Sequence, residues 1–137
     1  MKKNDAATLK KKLWVIFSQF VRRRDDGTCI SCGIKKPWKE QDAGHYYART
    51  FGLSLFFHEK NVNTQCTACN RFRHGNLARY AVGLKKKYGN GILDELEAIS
   101  KQHRSIGVKE YRELIKEYKT KLEALPKGEC DTVDYND

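Results

Sequence analysis

The sequence predicts an α+β fold in which a small, cysteine-stapled core lies between amphipathic helices. Three observations predict it. Apolar residues recur at helical spacing near both ends of the 137-residue chain. Between them, from Gly27 to about Val62, the periodicity breaks up around Gly33, Pro37, Gly44 and Gly52. Two CxxC pairs, Cys29 with Cys32 and Cys66 with Cys69, bracket that irregular stretch. A chain of this length fits one domain with a modest core.

The elements follow in order. Leu9, Leu13, Ile16, Phe17, Phe20 and Val21 mark one amphipathic helix over residues 6–24, which ends before Asp25-Asp26-Gly27 and has a basic opposite face. The core is expected over 27–88. Within it, Leu53 to Phe57 is the best strand candidate, and a strand is expected to leave the first cysteine pair at about His45. Leu77, Tyr80, Ala81, Leu84 and Tyr88 predict a helix from about Cys66 or Asn70 to Tyr88, stopped by Gly89-Asn90-Gly91. Two helices are expected over 91–125, the first on Ile92, Leu96 and Ile99. The second carries Tyr111, Leu114, Ile115, Tyr118, Leu122 and Leu125 and stops before Pro126. Its Tyr and Leu stripe reads as core or a dimer seam. Residues 126–137 read as an acidic, disordered tail.

Composition narrows the function. The formal net charge is +10 and mean hydropathy is −0.75. Excess Lys and Arg imply a polyanionic partner, since they displace the counterions condensed on phosphates. The charge is clustered, because the first 24 residues hold eight Lys or Arg against one Asp. Arg22, Arg23 and Arg24 close the first helix, while Arg71, Arg73, His74, Lys85, Lys86 and Lys87 follow the second cysteine pair. These residues are the expected DNA contacts. No apolar run approaches the roughly 20 residues that span a bilayer, and the N-terminus lacks the form of an export signal, so the cytoplasm is the default.

Without an export signal, disulfides are disfavoured, and paired CxxC sequences commonly ligate zinc. A thioredoxin-like redox pair would need one CxxC opening a helix, whereas here 33 residues separate Cys32 from Cys66. Four thiolates form a closed structural zinc site with no open position for hydrolysis. Cys130 stands outside both pairs as a bystander. Chemistry must then come from residues between the cysteine pairs. His45, in DAGHYY, can take a proton from water, and the amide oxygen of Asn70 beside Asp42 can hold a hard cation such as Mg²⁺ or Mn²⁺.

The sequence DAGHYY, then NVNTQCTACN, then Gly75-Asn76 with Tyr80 after it, resembles the HNH or ββα-metal nucleases. The form it resembles is that of the lambdoid phage NinG (Rap) recombination family. That resemblance implies a structure-selective, metal-dependent DNA endonuclease acting on branched intermediates such as Holliday junctions and D-loops, within a bacterial host. It also implies roles: His45 as general base, Asn61 as the middle Asn that orients it, and Asn70 as the last ligand of the triad. Symmetrical resolution of a junction needs two active sites, so a homodimer is expected. The chain departs from the wider group at Gly44, where an acidic ligand commonly precedes the base. The nearest acid, Asp42, lies three residues from His45 and would face away on a regular strand. Either the strand bulges at Ala43-Gly44 or another ligand serves; His58 and His74 are the reserves. The alternative is a zinc-containing DNA-binding module without catalysis. A protein-interaction adaptor would leave the clustered charge unused.

Overall fold

The first helix, α1 (Ala6–Arg24), starts where Asp5 caps it, its carboxylate accepting from Thr8 N at 2.8 Å. Its apolar stripe of Leu9, Leu13, Ile16, Phe17, Phe20 and Val21 is buried. The computed structural model describes residues 5–126, so the acidic tail beyond Pro126, with Cys130, lies outside the described residues. The strip opposite α1 comes from the far end of the chain. In α5 (Val108–Ala124), Tyr111, Ile115, Tyr118 and Leu122 recur at helical spacing and pack on α1, with Tyr118 edge-on to Phe17 at 4.9 Å. The Tyr and Leu stripe of this helix is therefore core.

A two-stranded antiparallel sheet lies beside that pair. β1 (Asp42–His45) pairs with β2 (Val62–Gln65), with Asp42 opposite Gln65 and His45 opposite Val62. Periodicity does not announce β2, because all four of its residues are buried and three are polar. Their polar groups are used internally: Asn63 Nδ2 donates to Tyr80 Oη and Lys60 O, and Thr64 Oγ1 donates to Val21 O. The backbone N–H of Ile30 donates to Thr64 O, which ties the first cysteine pair to the same sheet.

The long connection from β1 to β2 contains α2 (Leu53–Phe56), where the sequence predicts a strand. The run serves two cores at once. Leu55 packs with Tyr80, Leu84, Ile92 and Leu96, whereas Phe56 and Phe57 join the α1 cluster. A strand places neighbouring side chains on two opposite faces, but a helical turn spreads them and closes its own hydrogen bonds, here from Leu55 N and Phe56 N to Gly52 O.

The helix predicted from Cys66 or Asn70 to Tyr88 is also broken. A π-helical turn spans Ala68–Phe72, and α3 (Leu77–Tyr88) starts afresh. Between them His74, Gly75 and Asn76 all have positive φ, at 50°, 87° and 45°. Glycine is required further on: a Cβ on Gly83 would sit 2.2 Å from Ile30 O, so α3 rests directly on the first cysteine loop. α3 packs with α4 (Ile92–Ser100) around the smaller core. Among the described residues no helix is long and apolar enough to cross a membrane.

Candidate metal centre and adjoining cleft

Cys29 and Cys32 precede β1, and Cys66 and Cys69 follow β2, so pairing the strands brings both thiol pairs to one end of the sheet. All four sulfurs lie within 4.8 Å of one another, and Cys32 Sγ is 3.7 Å from Cys66 Sγ. A tetrahedron with Zn–S bonds of about 2.3 Å needs sulfurs roughly 3.8 Å apart. Donors surround the cluster: Cys32 N reaches Cys29 Sγ at 3.5 Å, Cys69 N reaches Cys66 Sγ at 3.5 Å, and Asn76 Nδ2 reaches Cys69 Sγ at 3.4 Å. Such donors orient sulfur ligands and stabilise their charge. Burial, with the neighbouring thiols, pushes Cys32 up to about 12. At Cys29 burial also acts upward, but the backbone N–H donors outweigh it and hold that thiol below its ordinary value. Four ionised thiols this close are stable together only around a cation, and the donor set fits zinc.

Beside this staple lies a basic cleft. One cavity of about 470 Å³ is lined by Trp14, Arg22, Lys39, Asp42, Arg49 and Arg71 among others. A second, of about 270 Å³, is lined by His45, Arg49, Asn70 and His74. Arg49 and Asn70 belong to both walls. Trp14, Lys39 and Arg49 are functional candidates that the sequence reading passes over. Arg49 is the detectable one, as a cation four residues after His45; Trp14 reads as just another apolar residue of α1.

His45 is held on three sides. Its ring stacks on Trp14 at 5.1 Å, meets Phe56 edge-on at 4.9 Å, and places Nε2 3.0 Å from Phe56 O. A carbonyl only accepts, so Nε2 carries the proton and the other ring nitrogen, Nδ1, keeps its lone pair in the neutral form. Burial pushes His45 down to about 4, and the nearby Arg49 acts in the same direction.

Asp42 lies on the opposite face of β1. Pairing through Asp42, Ala43, Gly44 and His45 is one-to-one, so no bulge turns the carboxylate toward the imidazole. The link between them is Asn70, which lines the His45 cavity and donates from Nδ2 to Asp42 Oδ2 at 3.0 Å. Arg71 forks onto the same carboxylate, from Nε at 3.0 Å and Nη2 at 3.1 Å. Gly44 leaves room for this approach, since a Cβ there would stand 1.9 Å from Gln65 Oε1 and 3.0 Å from Asn70 Oδ1. Gln65 Oε1 is buried without a hydrogen-bond partner among the described residues. Gln65 Oε1 and Asn70 Oδ1 thus gather at Gly44, while the Asp42 carboxylate is reached from the Nδ2 side of the same Asn70 amide.

The other predicted residues divide. Asn61 is fully buried, but its amide holds backbone: Tyr47 N donates to its Oδ1 at 2.8 Å, and its Nδ2 donates to Tyr47 O and Leu55 O. It thereby fixes the two ends of the loop that carries the Phe56 carbonyl, touching His45 only through that loop. His74 joins the His45 cavity, whereas His58 lies in a separate cavity with Arg24, Glu59 and Tyr118. The three arginines closing α1 do not form the exposed phosphate-binding row that the sequence suggests. Arg22 and Arg23 are buried with their guanidinium groups over Trp38, although Arg22 also lines the larger cavity. Arg24 donates to Asp25, Glu59 O, Val62 O and Asn63 Oδ1. The reason is local: the helix end meets β2 and Asp25, where the Arg24 guanidinium finds buried acceptors, while Trp38 covers Arg22 and Arg23. Arg73, Lys85 and Lys86 remain exposed, while Lys87 is committed to Asp25 at 2.7 Å and to Asn63.

Comparison with known proteins gives a consistent result. The profile of a family described as Bacteriophage Lambda NinG protein matches residues 2–129. The chain is 38% identical to Protein ninG of Escherichia phage lambda over 107 residues, which cover 77% of this chain and 52% of that protein. It is 39% identical to Protein ninG of Salmonella phage P22, over the same proportions. Protein ninG of Enterobacteria phage H19B is 40% identical over 86 residues, covering 62% of this chain and 42% of that protein. The chain thus spans about half the length of the curated relatives it matches. No solved structure matches it significantly.

Proposed function

Because the chain belongs to the bacteriophage lambda NinG family, we propose that it is a metal-dependent DNA endonuclease of the ββα-metal (HNH) type, selective for branched recombination intermediates such as Holliday junctions and D-loops. The observation that carries this reading is the setting of His45. Its Nε2 proton is spent on Phe56 O, and its cavity is bounded by Asn70, which is bonded to Asp42. The base and Asp42 therefore lie on opposite faces of β1, in two adjoining cavities of a basic cleft that Asn70 connects.

His45 Nδ1 accepts a proton from water as its oxygen forms a bond to phosphorus; the bond from phosphorus to the 3′ oxygen breaks, and that oxygen takes a proton from solvent. Arg49 and the exposed Arg71 hold phosphate oxygens at the cleft. Asn61 keeps the Phe56 carbonyl where it selects the tautomer. Asp42 and Asn70 would hold a Mg²⁺ or Mn²⁺ ion, which would supply neutralisation of the charge that develops on the phosphate. The cysteine cluster with zinc has a purely structural part. Two copies of the chain, as a homodimer, would cut a junction symmetrically.

One observation favours the second reading, a zinc-containing DNA-binding module without catalysis: Arg71 occupies both oxygens of Asp42. Incubating the purified protein with a four-way junction and a matched linear duplex, with and without Mg²⁺ or Mn²⁺, separates the two. The nuclease reading expects cation-dependent cutting of the junction and a loss of about 10² or more in His45→Ala, with DNA binding retained. Tight binding without cutting under any divalent cation would establish the non-catalytic module instead.

A further inference from the structure

Among the described residues, Phe72 is the most exposed of the large apolar side chains, at 78%. Single exposed apolar residues are common on protein surfaces, so exposure alone assigns it nothing. Its mounting is what sets it apart. Phe72 ends the π-helical turn that begins beside Cys69, and the turn is tied down around it: Arg73 N donates to Ala68 O, Gly75 N to Cys69 O, and Asn76 Nδ2 to Cys69 Sγ. The ring is thus presented by a cysteine-stapled hairpin and is not the tip of a loose loop. Arg71 and Arg73 flank it, and Asn70, two residues back, forms the wall shared by both cavities of the cleft.

The Arg71 guanidinium is turned onto Asp42, so the exposed cation left next to the ring in the chain is Arg73, and an exposed aromatic ring beside a cation complements a nucleobase beside a phosphate. In continuous duplex every base is already stacked on its neighbours, so such a ring gains nothing there. At a branch point or gap, a base has a free face, and aromatic stacking on it is insensitive to which base it is. We propose that Phe72 is a base-stacking wedge, which packs on an unpaired or unstacked base while the exposed Arg73 holds an adjoining phosphate, and so selects DNA with an interrupted stack over linear duplex. This rests on the reading that the cleft takes DNA. It adds the chemical feature recognised: an open base face beside the cutting position.

The test compares full-length wild type, Phe72→Ala and Phe72→Trp by fluorescence anisotropy on four DNAs: a four-way junction, a gapped duplex, a single strand and a linear duplex. 2-Aminopurine at the branch point reports stacking. Phe72→Ala is expected to lose about tenfold or more in affinity for the junction and gapped duplex, to keep its linear-duplex affinity within about twofold, and to leave the 2-aminopurine signal unquenched. Phe72→Trp is expected to restore both. Zinc content and thermal melting of the variants should match wild type, since the side chain is outside the core. Equal losses on linear duplex and junction, or no loss on either, overturn the wedge while leaving DNA binding intact. Wild type that binds none of the four DNAs at low salt overturns the nucleic-acid reading along with it. A change from dimer to monomer in Phe72→Ala on sedimentation, with unchanged DNA preference, assigns the ring to self-association and also overturns the wedge. Loss on the single strand as large as on the junction supports stacking and locates the recognised feature in the unpaired base, whereas loss on the junction alone supports stacking at the branch itself.

Discussion

Acidification should weaken the protein through His45 in a way that one substitution removes. The imidazole is boxed in by Trp14, Phe56 and the Phe56 carbonyl, and burial lowers its folded value to about 4 from an ordinary 6.5. In the unfolded chain the ring takes up a proton as pH falls through 6.5; in the folded protein it does not until about pH 4. Unfolding therefore binds a proton across that window, and stability falls as pH falls. The contribution is constant above the upper limit, declines between the two values and saturates below the lower one. A displacement of this size corresponds to about 3 kcal/mol. Urea unfolding of wild type and His45→Asn should show total losses of stability between pH 7.5 and 4 that differ by about that amount, with the cysteine and carboxylate contributions cancelling in the difference. Imidazole proton shifts followed by NMR should place the His45 midpoint well below the ordinary imidazole value of 6.5. A His45 midpoint at 6.5 or higher, or parallel pH slopes for the two proteins, would refute the argument and with it the claim that the ring is held neutral.

The remaining predictions concern the frame around the site. Cys66→Ser should lose bound zinc and cooperative folding together, because ligation energy is folding energy, and elemental analysis with thermal melting checks both. Tyr80→Phe should cost about 2 kcal/mol in urea unfolding, since the fully buried hydroxyl donates to Gly44 O at 2.7 Å and accepts from Asn63 Nδ2 at 3.2 Å; an unchanged midpoint would mean that water replaces it. Arg24→Ala should cost roughly 3 kcal/mol, by leaving the Glu59 and Val62 carbonyls without their donor and Asp25 with Lys87 as its one cation in place of two. Its DNA affinity, measured at a temperature where the variant is folded, should stay near that of wild type, as the guanidinium is committed inside.

What was legible in the sequence was whatever repeats or pairs locally. The amphipathic stripes of α1, α3, α4 and α5 each follow one period over more than two turns, and the cysteine spacing identifies four residues that do meet. The opposition of Asp42 and His45 also followed from an offset of three on a strand. The segments that misled are those where tertiary demands replaced local pattern. Leu53–Phe56 looks like a strand because an apolar run carries no period, and it coils because its side chains must reach two cores. β2 is invisible because three of its four buried residues are Asn, Thr and Gln, which find partners such as Val21, Tyr80 and Lys87 far away in the chain. Arg22, Arg23 and Arg24 read as surface because a guanidinium normally is; only the fold reveals Trp38 and Asp25 beneath them.

The pairing of α1 with α5 gives the molecule a timetable. During synthesis α1 leaves the ribosome first, with Phe17 and Phe20 uncovered, and its partner residues Tyr118 and Leu122 emerge about a hundred positions later. The cysteines can gather around their ion earlier, since all four precede α3. Trp14, however, is carried by α1, and its stack on His45 needs that helix docked. The metal staple is thus early and the dry, neutral surroundings of the imidazole are late, so a nascent chain can hold zinc well before His45 has the environment of the finished fold.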